Sequence, residues 1–318
     1  MTLIVSENHA KSSVQRLHRL KTRRKLWLQV HLWLGLSLGL FLAVIGLTGS
    51  VLVFWQELDH SLNRTLYYTT AQSSSLKSLD EILASGEQAA PQGWESIWLE
   101  VPQQADGNYV FAFGYPHSSL PPEQAQSLNI AVDPYTAKVV GQRVFYHAWN
   151  PLKHSLVGFF FKLHYALFLG ETGVMLVGIL AVLFIVSALS GLIIWWSLTG
   201  NWRRVLTIKR RASIERFNHD LHQTAGFYSL IVLLALLISG CYFNLPNQFR
   251  WLVECFSPLT LEAQASAITT SSAPAILQTA LQQAQPLYSG GKLHYAYLSG
   301  SQQGLITACF KDVTELQP

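Results

Sequence analysis

Hydrophobic and polar positions divide the chain into three long uncharged runs separated by polar stretches. Residues 26–55, 172–202 and 223–249 contain no Asp, Glu, Lys or Arg. Each run reaches or exceeds the roughly 20 residues that span a bilayer core, so each predicts a membrane helix. Between and after them the pattern shortens. SLDEILASGEQAA, from residue 78, predicts a short helix, while ESIWLEV, NYVFAFGY and SLNIAVDPYTAKVVGQR predict strands, the last turning at Asp133-Pro134. Further on, APAILQTALQQA, KLHYAYL and GLITACF repeat the order of helix followed by strands.

These elements predict a mainly α membrane protein, a transmembrane helix bundle with external α+β domains. The expected divisions are a tail at 1–25, transmembrane helix 1 at 26–55, an external domain at 56–150, and transmembrane helix 2 with its lead-in at 151–200. A loop at 201–218, transmembrane helix 3 at 219–243 and a second external segment at 244–318 follow. That last segment reads as an incomplete second domain, because it lacks the final strand and Asp-Pro turn that close the first. Three spans are present; a fourth is expected but absent, through natural truncation or an incomplete sequence.

Charge orients the helices. Residues 1–25 carry seven Lys and Arg against one acid, the 202–216 loop carries six against Glu215, and 56–150 holds ten acids against four bases. By the positive-inside rule the N-terminus and the 202–216 loop are cytoplasmic and 56–150 is external. The net charge of +4 is therefore a topology signal and not a nucleic-acid patch. Half the residues are hydrophobic, only 13% are charged, and ten tryptophans can anchor helices at the interfaces. The first apolar run is about twice a signal-peptide core and lacks a small-residue cleavage pattern, so it reads as a signal anchor.

The histidines supply the candidate chemistry. In QVHLWLGLSLGLFLAVIGLTG, His31 precedes Gly35 by four and Gly49 by eighteen; in DLHQTAGFYSLIVLLALLISG, His222 precedes Gly226 by four and Gly240 by eighteen. Eighteen residues make about five helical turns, so each histidine shares a face with a glycine about 27 Å away. Gly35 and Gly226, one turn from the histidines, leave room for a flat ligand between helices. His31 lies six residues beyond Lys25 and His222 six beyond Arg216, which sets both imidazoles about 9 Å into the membrane from one face. Two imidazoles at one level can supply both axial ligands of a haem iron. The competing reading is ordinary interfacial hydrogen bonding of polar groups near helix ends.

His164 begins the second apolar helix near its external end, with His154 ten residues earlier. It reads either as a ligand of a second, outer haem or as an interfacial residue. His154 and His219 read as supporting, propionate-side or alternative ligands, against solvated loop residues. For His60, His117, His147 and His294 surface exposure is the default, and His9 and His18 belong to a tail expected to be disordered. Arg203, Arg204, Lys209 and Arg216 face haem propionates or lipid headgroups. No Cys-x-x-Cys-His occurs, so haem would be held noncovalently as haem b; no Cys-x-x-Cys, His-Glu-x-x-His, P-loop or Gly-x-Gly-x-x-Gly occurs either. Cys241, Cys255 and Cys309 fall on the external side, where an odd number leaves pairing open.

Four blocks in order carry a family resemblance: HLWLGLSLGLFLAVIGLTGSVLVFWQELDHSLN, LHYALFLGETG with SALSGLIIWW, DLHQTAGFY, and NIAVDPYTAKVVGQR. Over about residues 22–315 the chain resembles the PepSY-associated transmembrane family of bacterial inner-membrane proteins. The resemblance implies four membrane helices, two b-type haems and external PepSY-like domains. It further implies His31 and His222 as ligands of a cytoplasmic-side haem and His164 as one ligand of an outer haem, whose partner would come from the absent fourth helix. The implied activity is reduction of a ferric siderophore at the external face of the inner membrane, fed by a cytoplasmic-side electron donor. Trp55, Tyr146, Trp149 and Trp251 are candidate docking residues for the chelate, or members of an interfacial belt. Two alternatives stand beside it: a PepSY-type binding or regulatory module anchored in the membrane, and a haem b carrier for another oxidoreductase.

Overall fold

The computed structural model describes residues 2–70, 75–114, 127–146, 155–196, 206–209, 213–257, 276–288, 290–299 and 305–312. Three helices are long and apolar enough to cross a membrane, at Thr22–Leu52, Gly170–Trp195 and Ile214–Asn244. The chain is a membrane-spanning protein of mainly helical structure, and it divides into two compact units.

The first unit comprises residues 1–47 and 165–259. Helix α1 runs through Thr2–Leu52, so the basic tail continues the helix instead of ending before it. Helix α6 spans Gly170–Trp195 and α7 spans Ile214–Asn244. Leu180, Ala181, Phe184, Leu237 and Cys241 form the seam between α6 and α7, and Leu38, Leu42 and Ile45 of α1 pack on it. Small residues hold the contact: a Cβ on Gly178 would fall 2.5 Å from Leu245 Cγ. In lipid such close packing substitutes for a hydrophobic driving force. Arg24 ties α1 to the end of α6 by donating from Nη2 to the Ile194 carbonyl at 2.7 Å, satisfying an oxygen that the helix terminus leaves free. Ser213 caps α7, accepting from the Arg216 amide, and Pro246 begins the short helix α8, Pro246–Glu254.

Helix α5, Leu156–Ala166, was expected to be continuous with the second span. Instead the chain breaks between them, with positive φ at Leu167 (47°), Phe168 (62°) and Gly170 (57°). The elbow is closed tightly enough that a Cβ on Gly173 would lie 1.8 Å from the Ala166 carbonyl oxygen. Only glycine fits there. His164 therefore stands on α5, before the elbow.

The second unit comprises 48–164 and 260–318. Its short helices are α2 (Trp55–Leu62), α3 (Arg64–Tyr67), α4 (Leu79–Ala89) and α9 (Ile276–Ala284). Its strands are β1 (Glu95–Glu100), β2 (Tyr109–Gly114), β3 (Leu128–Val132), β4 (Val139–Val144), β5 (Gly291–Ser299) and β6 (Leu305–Asp312). They form one antiparallel sheet in the order β4-β3-β2-β1-β5-β6. The segment expected to begin a separate second domain thus supplies two strands to the first sheet, joined through β5 to β1, with Glu100 opposite Tyr295. The reason is apolar burial. Leu277 and Leu281 of α9 lie in one core with Ile82, Leu99, Phe111, Phe113, Ile130 and Val132, and neither half covers that sheet face alone.

Polar details set the corners. Ser78 caps α4 by accepting from the Glu81 amide. Asp133 closes the β3–β4 turn, accepting from the Tyr135 and Thr136 amides at 2.8 and 3.0 Å and from Thr69 Oγ1 at 2.8 Å. Burial acts to raise its pKa, but these bonds outweigh it and hold the carboxyl below its usual range. Asp59, 1% exposed, is paired with Arg143 and accepts from Tyr67 Oη at 2.5 Å. Burial first, then the Asp59 and Glu100 charges, push the Tyr67 phenol far upward, so it remains a donor.

Candidate functional site

His31 and His222 meet. Their ring centroids are 6.0 Å apart with planes at 53°. His31 lies nine residues into the span that starts at Thr22 and His222 eight into the one that starts at Ile214, so both stand about 12–14 Å along their helices. The two side chains face each other from positions similarly far along their helices.

His31 is held from behind by α6. Its Nδ1 lies 3.0 Å from the Ser187 carbonyl oxygen and 3.1 Å from Ser190 Oγ, and Ser190 Oγ donates to that same carbonyl at 2.7 Å. A carbonyl can only accept, so the ring proton sits on Nδ1 and the lone pair on Nε2. Ser190 is fully buried, and Gly191 beside it brings the helix so close that a Cβ there would be 3.0 Å from His31 Cε1. This is how a ligating imidazole is oriented: a carbonyl on one nitrogen fixes the tautomer and leaves the other to bind. His222 is exposed and makes no hydrogen bond among the described residues. In hydrocarbon an unsatisfied imidazole is a costly group.

Gly35 and Gly226, each one turn beyond a histidine, face open space: a Cβ at either meets nothing within 4 Å. Metal–imidazole bonds are about 2 Å long, and the ring centre lies about 1 Å behind the nitrogen, so two rings bracketing one iron have centroids about 6 Å apart. The spacing, the tautomer of His31 and the two open glycines would fit a planar metal-bearing group held by His31 and His222. Beyond the pair, Trp195 of α6 stacks on Phe227 of α7 at 4.0 Å and 13°.

The other predicted residues fall differently. His219 turns away from the pair, its Nδ1 3.5 Å from Asp220 Oδ1 and its side chain 66% exposed. Asp220 instead gathers donors: Arg216 Nε is 2.8 Å from Oδ1, and the Lys209 backbone amide donates to Oδ2 at 3.3 Å. His164 Nδ1 lies 3.2 Å from Thr48 Oγ1, with its Cε1 2.9 Å from the position a Gly49 Cβ would take. His164 therefore has the same kind of seat as His31, a hydroxyl followed by a glycine on a neighbouring helix. His154, Arg203, Arg204 and Trp149 lie outside the described residues, as do His117 and His147. Tyr146 is buried with Lys162 Nζ over its ring, which removes it as a docking residue. Trp55 is packed edge-on against Phe161, while Trp251 is exposed.

Sequence reasoning missed Ser187, Ser190 and Gly191 as the support of His31 and Thr48 as that of His164. The Ser-Gly and Thr-Gly pairs were visible, yet small residues in apolar helices read first as packing. It also placed His60 and His294 at the surface. Both are half-buried and line a polar cleft of the sheet unit.

Three apolar spans, two of them presenting facing histidines, and a six-stranded sheet unit define a multi-span membrane protein with a separate α+β unit. The chain belongs to the family of the PepSY-associated TM region, whose profile matches residues 28–308. No curated protein matches it.

Proposed function

We propose that this chain conducts electrons across a bacterial inner membrane and reduces a ferric siderophore at the external face, releasing Fe(II). The observation that carries the reading is the His31–His222 pair, oriented from α6 inside the apolar spans. His31 and His222 would hold a haem b, which supplies one-electron redox chemistry when bound. The Ser187 carbonyl and Ser190 hydroxyl keep the His31 proton on Nδ1, so that Nε2 is always available. Gly35 and Gly226 keep the flanking space clear. Arg24 fastens α1 to α6, which fixes the height of His31 on its seat. His164 is the candidate ligand for an outer haem, supported by Thr48, with its partner supplied by His154 or by a second copy of the protein.

The substrate chemistry follows from hardness. Oxygen donors of a siderophore hold Fe(III) far more firmly than Fe(II), so adding one electron per iron is enough to loosen the metal. The electron comes from a donor on the cytoplasmic side, the side given by the basic tail and the 202–216 loop.

The test uses the full chain in nanodiscs, reduced under anaerobic conditions and freed of reductant. A ferric hydroxamate siderophore should reoxidise it and deliver Fe(II), stoichiometric with electrons, to a ferrous-specific chromogenic chelator; the Ga(III) complex, which cannot be reduced, should do neither. Haem-loaded protein that stays reduced in the presence of the ferric chelate would refute the reductase reading and leave an electron carrier for another oxidoreductase. Protein that takes up no haem would favour the membrane-anchored binding module.

A further inference from the structure

The sheet unit contains a cleft of about 390 Å³ between α2, α3 and the β1–β2 side of the sheet, within the size range of small-molecule sites. His60, Tyr67, Tyr68, Glu100, Gln103, Asn108 and His294 give it its chemistry. The donors of His60, Tyr67, Tyr68, Gln103 and Asn108 bond inside the protein. His60 lies 3.0 Å from Glu100 Oε1 through Nε2 and 3.3 Å from Tyr68 Oη through Nδ1. A carboxylate accepts, so the Nε2 proton goes to Glu100 and the Tyr68 hydroxyl donates to Nδ1. The Asn108 amide donates to the Leu66 carbonyl at 3.1 Å, and the Gln103 amide donates to the Val101 and Leu293 carbonyls at 2.8 and 3.0 Å. Those bonds fix which end of each amide is oxygen.

The acceptors are left over. Among the described residues Glu100 Oε2, Gln103 Oε1 and Asn108 Oδ1 have no hydrogen-bond partner, nor does His294 Nδ1, although Glu100 is only 6% and Asn108 only 3% exposed. Buried polar atoms without partners are rare, and three such oxygens in one cleft point to a missing donor. His294 stands where the pairing of β5 with β6 shifts register, between Leu293 and Tyr295. Burial depresses its pKa, so the ring is neutral near neutral pH, with one nitrogen able to accept. The Arg64 guanidinium at the rim is already placed over the Tyr68 ring, 5.4 Å from its centroid, and Glu57 adds a second carboxylate to the lining.

One carboxylate with a free oxygen, two amide oxygens and a neutral imidazole call for a ligand that carries several N–H donors and a positive charge. We propose that this cleft binds a cationic amine, an alkylammonium or guanidinium group, with Glu100 as its counter-ion and Asn108 and Gln103 as orienting acceptors. The cation is either a free small amine or a Lys or Arg side chain of a partner protein; the chemistry at the cleft is the same. This site is independent of the histidine pair in the membrane helices.

The experiment is calorimetric titration of the full chain in nanodiscs with agmatine, with butylurea as the uncharged analogue, with an Ala-Arg-Ala peptide blocked at both ends, and with Zn²⁺. Agmatine should bind at one site per chain, butylurea at least tenfold more weakly. Glu100→Gln, which preserves the acceptor to His60, should weaken agmatine at least tenfold; Glu57→Gln, a rim substitution that leaves the buried network untouched, should weaken it two- to fivefold. Stronger binding of the blocked peptide than of agmatine would assign the site to a partner's side chain, and the reverse to a free amine. Equal binding of butylurea, absence of binding by both cations, an unchanged affinity in a folded Glu100→Gln variant, or binding of Zn²⁺ alone would each overturn the proposal.

Discussion

Gly191→Ala should loosen the proposed His31–His222 haem site without unfolding the helix that carries it. The new Cβ would stand 3.0 Å from His31 Cε1 and 3.5 Å from Nδ1. Carbon atoms prefer about 3.5–4.0 Å, so the ring must withdraw by about 0.5–1 Å. The contacts of Nδ1 at 3.0 Å to Ser187 O and 3.1 Å to Ser190 Oγ then stretch beyond useful hydrogen-bond range. Each is worth about 0.5–1.5 kcal/mol, so about 1–3 kcal/mol of orientation is lost. That corresponds to roughly 5- to 150-fold weaker haem binding. The assay is an absorbance titration of haem into the apoprotein in nanodiscs, with thermal unfolding of the same samples. Gly35→Ala is the companion variant. Its Cβ meets no protein atom within 4 Å, and alanine favours a helix over glycine by up to about 1 kcal/mol, so the apoprotein should be at least as stable while haem binding weakens. Wild-type haem affinity in Gly191→Ala would refute the assignment of α6 as the seat of the His31 ligand.

Three further outcomes are expected. Arg143→Ala strands the buried Asp59 carboxylate and should cost the sheet unit about 3–5 kcal/mol, read by urea unfolding of its tryptophan fluorescence; a loss below about 1 kcal/mol would show that the pair is dispensable. Asp133 has a depressed folded pKa, so its contribution is complete above the unfolded value near 3.9 and fades as pH falls through the folded value; Asp133→Asn should flatten the acid side of the stability profile, and an unchanged slope would contradict the role of the turn bonds. Gly173→Ala puts a Cβ 1.8 Å from the Ala166 carbonyl oxygen and should open the α5–α6 elbow, measured as new protease sensitivity near 166–173; a native digestion pattern would show that the elbow has room.

Much of the helical frame was legible because lipid imposes a simple rule. A run without charges and of bilayer length has one structural solution, and 26–55, 172–202 and 223–249 obey it. Strand positions were legible from short apolar and aromatic runs bounded by turn residues, and the β3–β4 turn from Asp133-Pro134. The facing histidines were legible from a repeat, since matched distances from Lys25 and Arg216 set equal depth. What escaped was non-local. Nothing near residue 294 announces that β5 will pair with β1, about 190 residues earlier, so the tail was assigned a domain of its own and His60 and His294 a surface location. The elbow at Leu167 and Phe168 escaped because non-glycine residues carry positive φ there, against their local preference. The support of His31 by Ser187 and Ser190 escaped because pairing of helix faces is a tertiary property.

The central claim is that His31 and His222 hold one haem between α1 and α7. Absorbance spectra of the purified protein, oxidised and dithionite-reduced, with haem quantified per chain, test it most directly. A low-spin b-type spectrum in the wild type that is lost or strongly weakened in both His31→Ala and His222→Ala is the predicted result. A protein that remains free of haem when expressed with ample haem, or a spectrum indifferent to both substitutions, would contradict it.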